Sequence, residues 1–281
     1  MTVRPETVDR FRGDQGSAAL VRVDQARGST PRDPGAWMAV GPSATIGTIG
    51  GGQLEYMAID AARAMLARGD DTTTLDVPLG PEIGQCCGGR ILVSVARLDA
   101  DGWAVLGATA EAERRALPEV HVFGAGHVGR ALAEALSLLP VRPVLVDQRA
   151  EELRLAPPDV DALLTPLPEE AVRLARHGGA FVVLTHDHAL DFLVAREALA
   201  RGDAAYVGMI GSKTKLVSFR RWLRHSEEPA PDLAPLVCPI GAAGRPDKRP
   251  EVIAAFAAAE ILKHIATWQA KTPAVQQGRL K

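Results

Sequence analysis

Apolar and polar positions alternate in short runs along the first third of the chain, and the pattern changes near residue 119. The runs Ala18–Val23, Trp37–Val40, Ala44–Thr48, Thr72–Val77 and Arg90–Ala96 have the length and period of strands. One stretch among them follows a different period. Leu54, Met57, Ala58, Ala61, Met65 and Leu66 recur at helical spacing, which predicts a helix over Gln53–Arg68 stopped by Gly69. Together these elements predict a small α+β domain over residues 1–106. Gly107–Pro118 is rich in Ala, Glu and Arg and carries no strand pattern, so a linker is expected at 107–118.

From Glu119 short apolar runs alternate with amphipathic stretches, as in a parallel sheet with crossover helices. The spacing predicts strands at Val120–Phe123, Pro143–Asp147, Ala162–Leu164, Phe181–Thr185, Tyr206–Ile210 and Leu236–Cys238. Helices are predicted near His127–Leu139, Pro168–Arg176, Ala189–Arg201, Thr214–Arg224 and Pro250–Thr267. This is an α/β pattern, a Rossmann-like doubly wound parallel-sheet domain over 119–270 that follows the α+β domain. Proline removes a ladder donor, so Pro143 is expected at the first residue of its strand. The polar tail 271–281 is expected to fray. No internal repeat or low-complexity segment is visible.

The length agrees with two domains, since 281 residues exceed the roughly 250 at which one core usually stops growing. With 32 Lys and Arg against 34 Asp and Glu the net charge is −2, which gives no global attraction for nucleic acid or anionic lipid. Aromatics make up 4% of the chain, too few for base-stacking platforms. No apolar run approaches the roughly 18 residues that span a bilayer, and Met1–Gly16 has no signal-peptide pattern. With three cysteines, Cys86, Cys87 and Cys238, at no repeated spacing, a reducing compartment is expected, with the cytoplasm as the location.

The chemistry concentrates in glycine-rich turns. Gly124, Gly126 and Gly129 follow a predicted strand in GxGxxG spacing and open a helix, and Asp147 ends the next strand. In such a turn the first glycine makes the bend, the second lets a phosphate approach the backbone and the third permits close helix packing. The helix N-terminus adds free N–H groups and a positive dipole. Asp147 would accept from a ribose, and Arg149 equally suits a 2′-phosphate. His127 is either a solvated helix start or a ligand contact. The motif calls for a nucleotide or phosphate ligand and by itself specifies no redox reaction.

Ligands of open α/β sheets sit beyond the carboxyl ends of the strands. Three further segments fall there. Thr185-His186-Asp187-His188 offers hydrogen-bonding or proton-handling roles for His186 and Asp187, or an Asp cap for the next helix. Gly211, Ser212 and Lys213 suit an anion or a capped, solvated helix end. Cys238 stands at the same edge. In the amino-terminal half, Gly50, Gly51 and Gly52 lead into the predicted helix as a candidate nest for an anion, with Gln53 and Glu55 available to a heterocycle. The Leu79–Arg90 loop carries Cys86 and Cys87 near Arg90. As thiolates these would be soft ligands and sulfur nucleophiles; as buried thiols they would be inert.

Taken jointly, Leu20–Pro31, Gly47–Glu55, Leu79–Arg90, Val122–Gly129, Thr185–Leu190, Val207–Lys215 and Cys238–Gly241 resemble the xanthine dehydrogenase accessory protein family, XdhC, in order over about residues 17 to 265. The resemblance implies a cytoplasmic chaperone for the molybdenum cofactor (molybdopterin). Such a protein accepts the sulfurated cofactor with help from a cysteine desulfurase and passes it to the molybdenum subunit of xanthine dehydrogenase. It implies no turnover of xanthine. The family's cysteine-glycine-glycine motif falls on Cys87-Gly88-Gly89, with Cys86 before it, making these thiols the candidates for the molybdenum. The glycine loop would then serve the pterin phosphate or a nucleotide, with the ligand expected between the two domains. A homodimer is the expected assembly. The stretch Ala242–Pro250 departs from the family pattern. Two rival readings use the same loop: an NAD(P)-dependent oxidoreductase with His186 or Asp187 as acid or base, and a nucleotide-sensing module.

Overall fold

Ala19, Val21 and Val23 alternate with Leu20 and Arg22 along strand β1 (Ala19–Arg27), so the two sets of side chains leave opposite faces of a sheet. The structure is a computed structural model that describes residues 3–80, 88–226, 229–242 and 247–271. It forms two units, Met1–Ala116 and Leu117–Lys281.

In the first unit β1 joins β2 (Trp37–Val40), β3 (Thr45–Gly47), β4 (Thr72–Pro78) and β5 (Arg90–Arg97) in an antiparallel sheet of order β3-β2-β1-β5-β4. Helices α1 (Pro5–Gln15), α2 (Gln53–Arg68) and α3 (Ala100–Ala116) cover it. Ala19, Val21, Val23, Met38 and Val40 pack with Leu54, Ala58, Ala62 and Met65 of α2. Trp37 and Ala39 face the other way, toward Val8 and Phe11 of α1 and Trp103, Leu106 and Ala110 of α3. All four residues of β2 are therefore buried. Gly69 ends α2 in the left-handed region, its N–H donating to Leu66 and Met65.

The stretch expected as a linker is mostly helix. Residues 107–116 are the second half of α3, built from strong helix formers and pinned to β2 by the Trp37 indole N–H on Glu113, 3.0 Å. Helix α1 is also an addition, because Val8 and Phe11 are its only buried residues and make a faint sequence pattern.

The second unit alternates strand and helix. In chain order these are β6 (Glu119–Phe123), α4 (His127–Ser137), β7 (Arg142–Asp147), α5 (Ala150–Leu153), β8 (Asp161–Leu164), α6 (Pro168–Leu174), β9 (Ala180–Val183), α7 (His188–Ala200), β10 (Tyr206–Met209), α8 (Lys213–Arg224), β11 (Leu236–Val237) and α9 (Pro250–Lys271). The strands are parallel in the order β11-β10-β9-β6-β7-β8. Val120, Val122, Leu145 and Val182 pack under α4 and α9, while Phe123, Val144, Val146, Phe181 and Val183 pack under α6, α7 and α8. Helices thus cover both faces of a doubly wound sheet. Helix α9 runs past Ala270 to Lys271, and residues 272–281, read as a tail, lie outside the described residues.

Pro143 is the second residue of β7, not the first. Arg142 donates to Pro118 on the β6 side, so strand alternation turns the nitrogen of Pro143 toward β8. Pairing with β8 begins only at Val144, and no ladder bond is lost.

At the amino edge of this sheet Glu119 gathers His121 at 3.2 Å, Arg142 at 3.1 Å and Arg176 at 2.9 Å. Burial would raise its carboxyl, but the His121 hydrogen bond and the Arg176 charge outweigh burial and hold it at about 2.

Candidate functional site

Strand order reverses between β6 and β9, and ligands of doubly wound sheets bind at that switch point. Beyond the carboxyl ends of these strands lies a small cleft, about 10 Å³ in volume, lined by Gly124, Asp147, Gln148, Thr185 and His186. Gly124 takes a φ of 115°, and a side chain there would meet the Leu184 carbonyl at 2.4 Å. Any other residue would push β6 and β9 apart. Gly129 sits under the turn, where a Cβ would lie 1.8 Å from the Gly124 oxygen. Gly126 differs from both: its φ is −69° and a Cβ would meet nothing within 4 Å. Neither its backbone nor its neighbours demand glycine. Open space over this residue is what a phosphate approaching the first turn of α4 requires, because the N–H groups of that turn have no intrahelical acceptor. His127 is exposed at the first position of α4.

Asp147 is buried, and each of its oxygens already has two donors. Oδ1 accepts from the Arg149 backbone N–H at 2.9 Å and from Arg149 Nε at 3.0 Å. Oδ2 accepts from the Ala125 N–H at 2.7 Å and from Arg149 Nη2 at 2.9 Å. Burial alone would raise its pKa, but the Arg149 side chain and the two backbone donors hold it below the usual carboxylate range. The residue expected to greet a ribose is the clamp of the glycine loop. Arg130 is a second clamp, donating to the Ala125 carbonyl and to Glu152 Oε2, the latter at 2.6 Å.

Further along the edge, Asp187 is the N-cap of α7, accepting from the Ala189 N–H at 2.8 Å. Its capping alternative is the one realised. His186 is exposed on the cleft wall. Ser212 caps α8 by accepting from the Lys215 N–H, 3.3 Å, and Gly211, Ser212 and Lys213 are all exposed at that helix start.

Beneath these turns lies a polar group that the sequence reading missed. Asp191, fully buried, accepts from the Thr185 N–H and hydroxyl at Oδ1, both 2.8 Å, and pairs through Oδ2 with Lys215 Nζ. This pair joins the turn after β9 to the helix after β10. A lysine after one strand, and in the helix after its neighbour an aspartate at helical spacing from the buried Val194, Ala195 and Ala198, were the available signal. Cys238, after β11, is half-buried; burial pushes its thiol up, Lys215 pulls it down and Asp191 pushes it up again. It is a neutral thiol beside that ion pair.

In the first unit Gly50, Gly51 and Gly52 all have positive φ, and Gly52 is the N-cap of α2 without a side-chain cap. Glu55 turns back to accept from the Thr48 hydroxyl and from the Ile49 N–H, the latter at 3.0 Å, so it closes the turn from within. Gln53 is exposed. A Cβ on Gly50 would strike Pro31 at 2.8 Å, and one on Gly89 would strike the Ser29 carbonyl at 2.3 Å. Ser29 also bridges Gly88. The segment 29–31 therefore lies against both the glycine turn and Gly88–Gly89, where the Leu79–Arg90 loop rejoins the sheet. Cys86 and Cys87 lie outside the described residues. Arg90, expected near them, pairs with Asp76 through two bonds of 2.7 and 2.8 Å on the exposed surface. Among the described residues no three His, Cys, Asp or Glu side chains are grouped to hold a metal ion, and no helix is long and apolar enough to cross a membrane.

Comparison with known proteins matches residues 12–77 to the XdhC and CoxI family and residues 120–261, half of the chain, to the XdhC Rossmann domain. An uncharacterised protein of Escherichia coli (strain K12), YqeB, is 26% identical over 252 residues, which are 87% of this chain and 43% of that protein. The chain thus spans less than half the length of that curated relative. A crystal structure described as a xanthine dehydrogenase from Bacillus halodurans superposes with a TM-score of 0.72 at 19% identity, covering 96% of this chain and 98% of that one, a likeness of fold. A glycine loop closed by its own aspartate, on a Rossmann sheet preceded by an α+β unit, is thus accompanied by matches to the models of both parts, and the chain belongs to the XdhC and CoxI family.

Proposed function

We propose that this chain is a non-catalytic carrier of the molybdenum cofactor, an accessory factor that holds the cofactor during sulfuration and hands it to the molybdenum subunit of xanthine dehydrogenase. Family membership supports the accessory role. The observation that carries the ligand assignment is the loop at α4, where donors stand free at the helix start and Gly126 leaves the approach open.

Two chemistries of that cargo have counterparts in the chain. The terminal phosphate of the pterin matches the α4 loop. The molybdenum, held by dithiolene sulfur, matches a soft donor, for which Cys86 and Cys87 remain the candidates. The roots of their loop rest on Ser29, next to the glycine turn of α2. A cysteine desulfurase as sulfur donor, a homodimeric state and a cytoplasmic location complete the reading. The rival oxidoreductase reading is weakened because Asp187 spends its carboxylate on capping α7, leaving His186 as the acid or base.

Elemental analysis tests the proposal. Protein purified from a host that makes the cofactor is expected to carry molybdenum, and Cys87→Ala to carry less. Absence of molybdenum from the wild type, with steady hydride transfer from a nicotinamide by the pure protein, would replace the carrier with the oxidoreductase.

A further inference from the structure

We infer that Arg149 is a specificity-determining residue: its guanidinium fills the place on Asp147 that the vicinal diol of a nucleotide ribose would take, so the glycine loop admits a phosphate-bearing ligand that lacks such a diol. The inference rests on the reading above, that the loop at α4 binds a phosphate.

A carboxylate has about four acceptor positions, two on each oxygen. On Asp147 all four are taken. The Ala125 and Arg149 backbone N–H groups hold one on each oxygen, at 2.7 and 2.9 Å. The Arg149 side chain holds the other two, through Nε at 3.0 Å and Nη2 at 2.9 Å. This is a two-pronged, charge-assisted contact on a carboxylate whose side chain is 4% exposed, the strong end of the hydrogen-bond range. Arg149 is further tied to Glu152, 3.7 Å away.

Asp147 is not remote from the ligand position. It holds the Ala125 N–H, next to Gly126 in the glycine loop, and lines the small switch-point cleft together with Gly124 and His186. A dinucleotide seated on the loop would carry its ribose toward this carboxylate and find no acceptor there. Its diol would displace the guanidinium or remain unpaired, and an unpaired polar group beside a buried carboxylate is costly. A phosphate on a pterin side chain makes no such demand. Taking the Arg149 side chain away frees one position on Oδ1 and one on Oδ2 while both backbone donors stay. That leaves the pair of acceptors that two neighbouring hydroxyls need.

The experiment is titration calorimetry of the full chain with ADP, 2′,3′-dideoxy-ADP and 2′-phospho-ADP. The wild type is expected to bind ADP and dideoxy-ADP within twofold of each other. Arg149→Ala is expected to bind ADP about tenfold tighter than dideoxy-ADP, with its dideoxy-ADP affinity unchanged. Arg149→Met, which keeps the stem and removes the donors, should show the same preference, and thermal unfolding near the wild-type midpoint identifies folded variants. A tenfold wild-type preference for ADP, or no preference in either folded variant, overturns the inference. So does a wild-type preference for 2′-phospho-ADP that Arg149→Ala abolishes, since Arg149 would then be a 2′-phosphate ligand. Failure of every protein to bind any of the three overturns the phosphate-loop reading and the inference with it. Binding of dideoxy-ADP with the wrong preference overturns the inference alone.

Discussion

Two glycine-rich turns open helices in this chain, and they are held by different means. At the start of α2, Gly50, Gly51 and Gly52 have φ of 128°, 83° and 67°, and the acid that closes the turn, Glu55, comes from the helix they open. At the start of α4 only Gly124 has positive φ, and the closing acid, Asp147, comes from the end of the neighbouring strand. The first turn is a local device, since residues 48–55 contain its bonds. The second is tertiary, because it needs β6, β7, β9 and α4 in place at once. What the two share is more instructive. In each, the acid that looks ready for a ligand is spent on the loop's own backbone, on the Ile49 N–H at the first turn and the Ala125 N–H at the second.

The contrast is broken most severely at Gly129. An alanine there would put its Cβ 2.9 Å from Leu184 Cδ1 and 1.8 Å from the Gly124 oxygen, a backbone atom whose residue is tied to β7 through its N–H on the Val146 carbonyl. Gly129→Ala is expected to destabilise the second unit by about 3 kcal/mol or more. Gly50→Ala, which meets Pro31 at 2.8 Å and must hold a φ of 128°, is expected to cost the first unit about 1–3 kcal/mol. Hydrogen exchange read by mass spectrometry follows the two units separately. A Gly50→Ala cost above that of Gly129→Ala would erase the distinction between a local and a tertiary turn.

A smaller effect is expected at the tertiary clamp. Asp147→Asn keeps one acceptor for the Ala125 N–H but weakens the grip of Arg149, and should cost the second unit about 1–3 kcal/mol. The effect has a pH signature. The folded carboxyl lies below its unfolded value of about 3.9, so its stabilisation is complete above about pH 4 and is lost as pH falls through the lower folded value. Asp147→Asn should therefore narrow the gap to wild type in acid. A gap that stays constant from pH 6 to pH 3 would mean that the carboxylate charge does not hold the loop.

How much of this was visible in the residues follows the same line between local and tertiary. The strands of the second unit were legible because Val120, Val122, Leu145 and Val182 go to one face and Phe123, Val144, Phe181 and Val183 to the other, all apolar. The glycine roles at 124 and 129 were legible because the spacing itself imposes them. Helix α3 was not, since Trp103, Leu106 and Ala110 bury against β2 and α1 and show no sheet period of their own. Nor was the role of Asp147, which depends on Arg149 folding back over it, or the Asp191 and Lys215 pair, which forms only when β9 and β10 stand side by side. The side chains missed or misassigned were those whose partners arrive from another element, or from a side-chain conformation that spacing does not encode.

The smallest stability change is expected at Gly126, and it sharpens the contrast most. With a φ of −69°, a ψ of −175° and nothing within 4 Å of a Cβ, alanine fits both the backbone and the space. The poorer N-cap of alanine costs a few tenths of a kcal/mol, and the stiffer unfolded chain returns a similar amount, so Gly126→Ala should unfold within about 0.5 kcal/mol of wild type. Binding is a separate matter. A methyl group on this residue occupies the approach to the N–H groups of α4, and affinity for inorganic pyrophosphate or dideoxy-ADP should fall at least tenfold. Gly51→Ala, equally open but at a φ of 83°, should instead lose stability in the first unit and leave pyrophosphate binding by the second unchanged. If Gly126→Ala binds like wild type, the open space over the α4 turn is not where the phosphate enters, and glycine at 126 is left without a structural or a ligand-based reason.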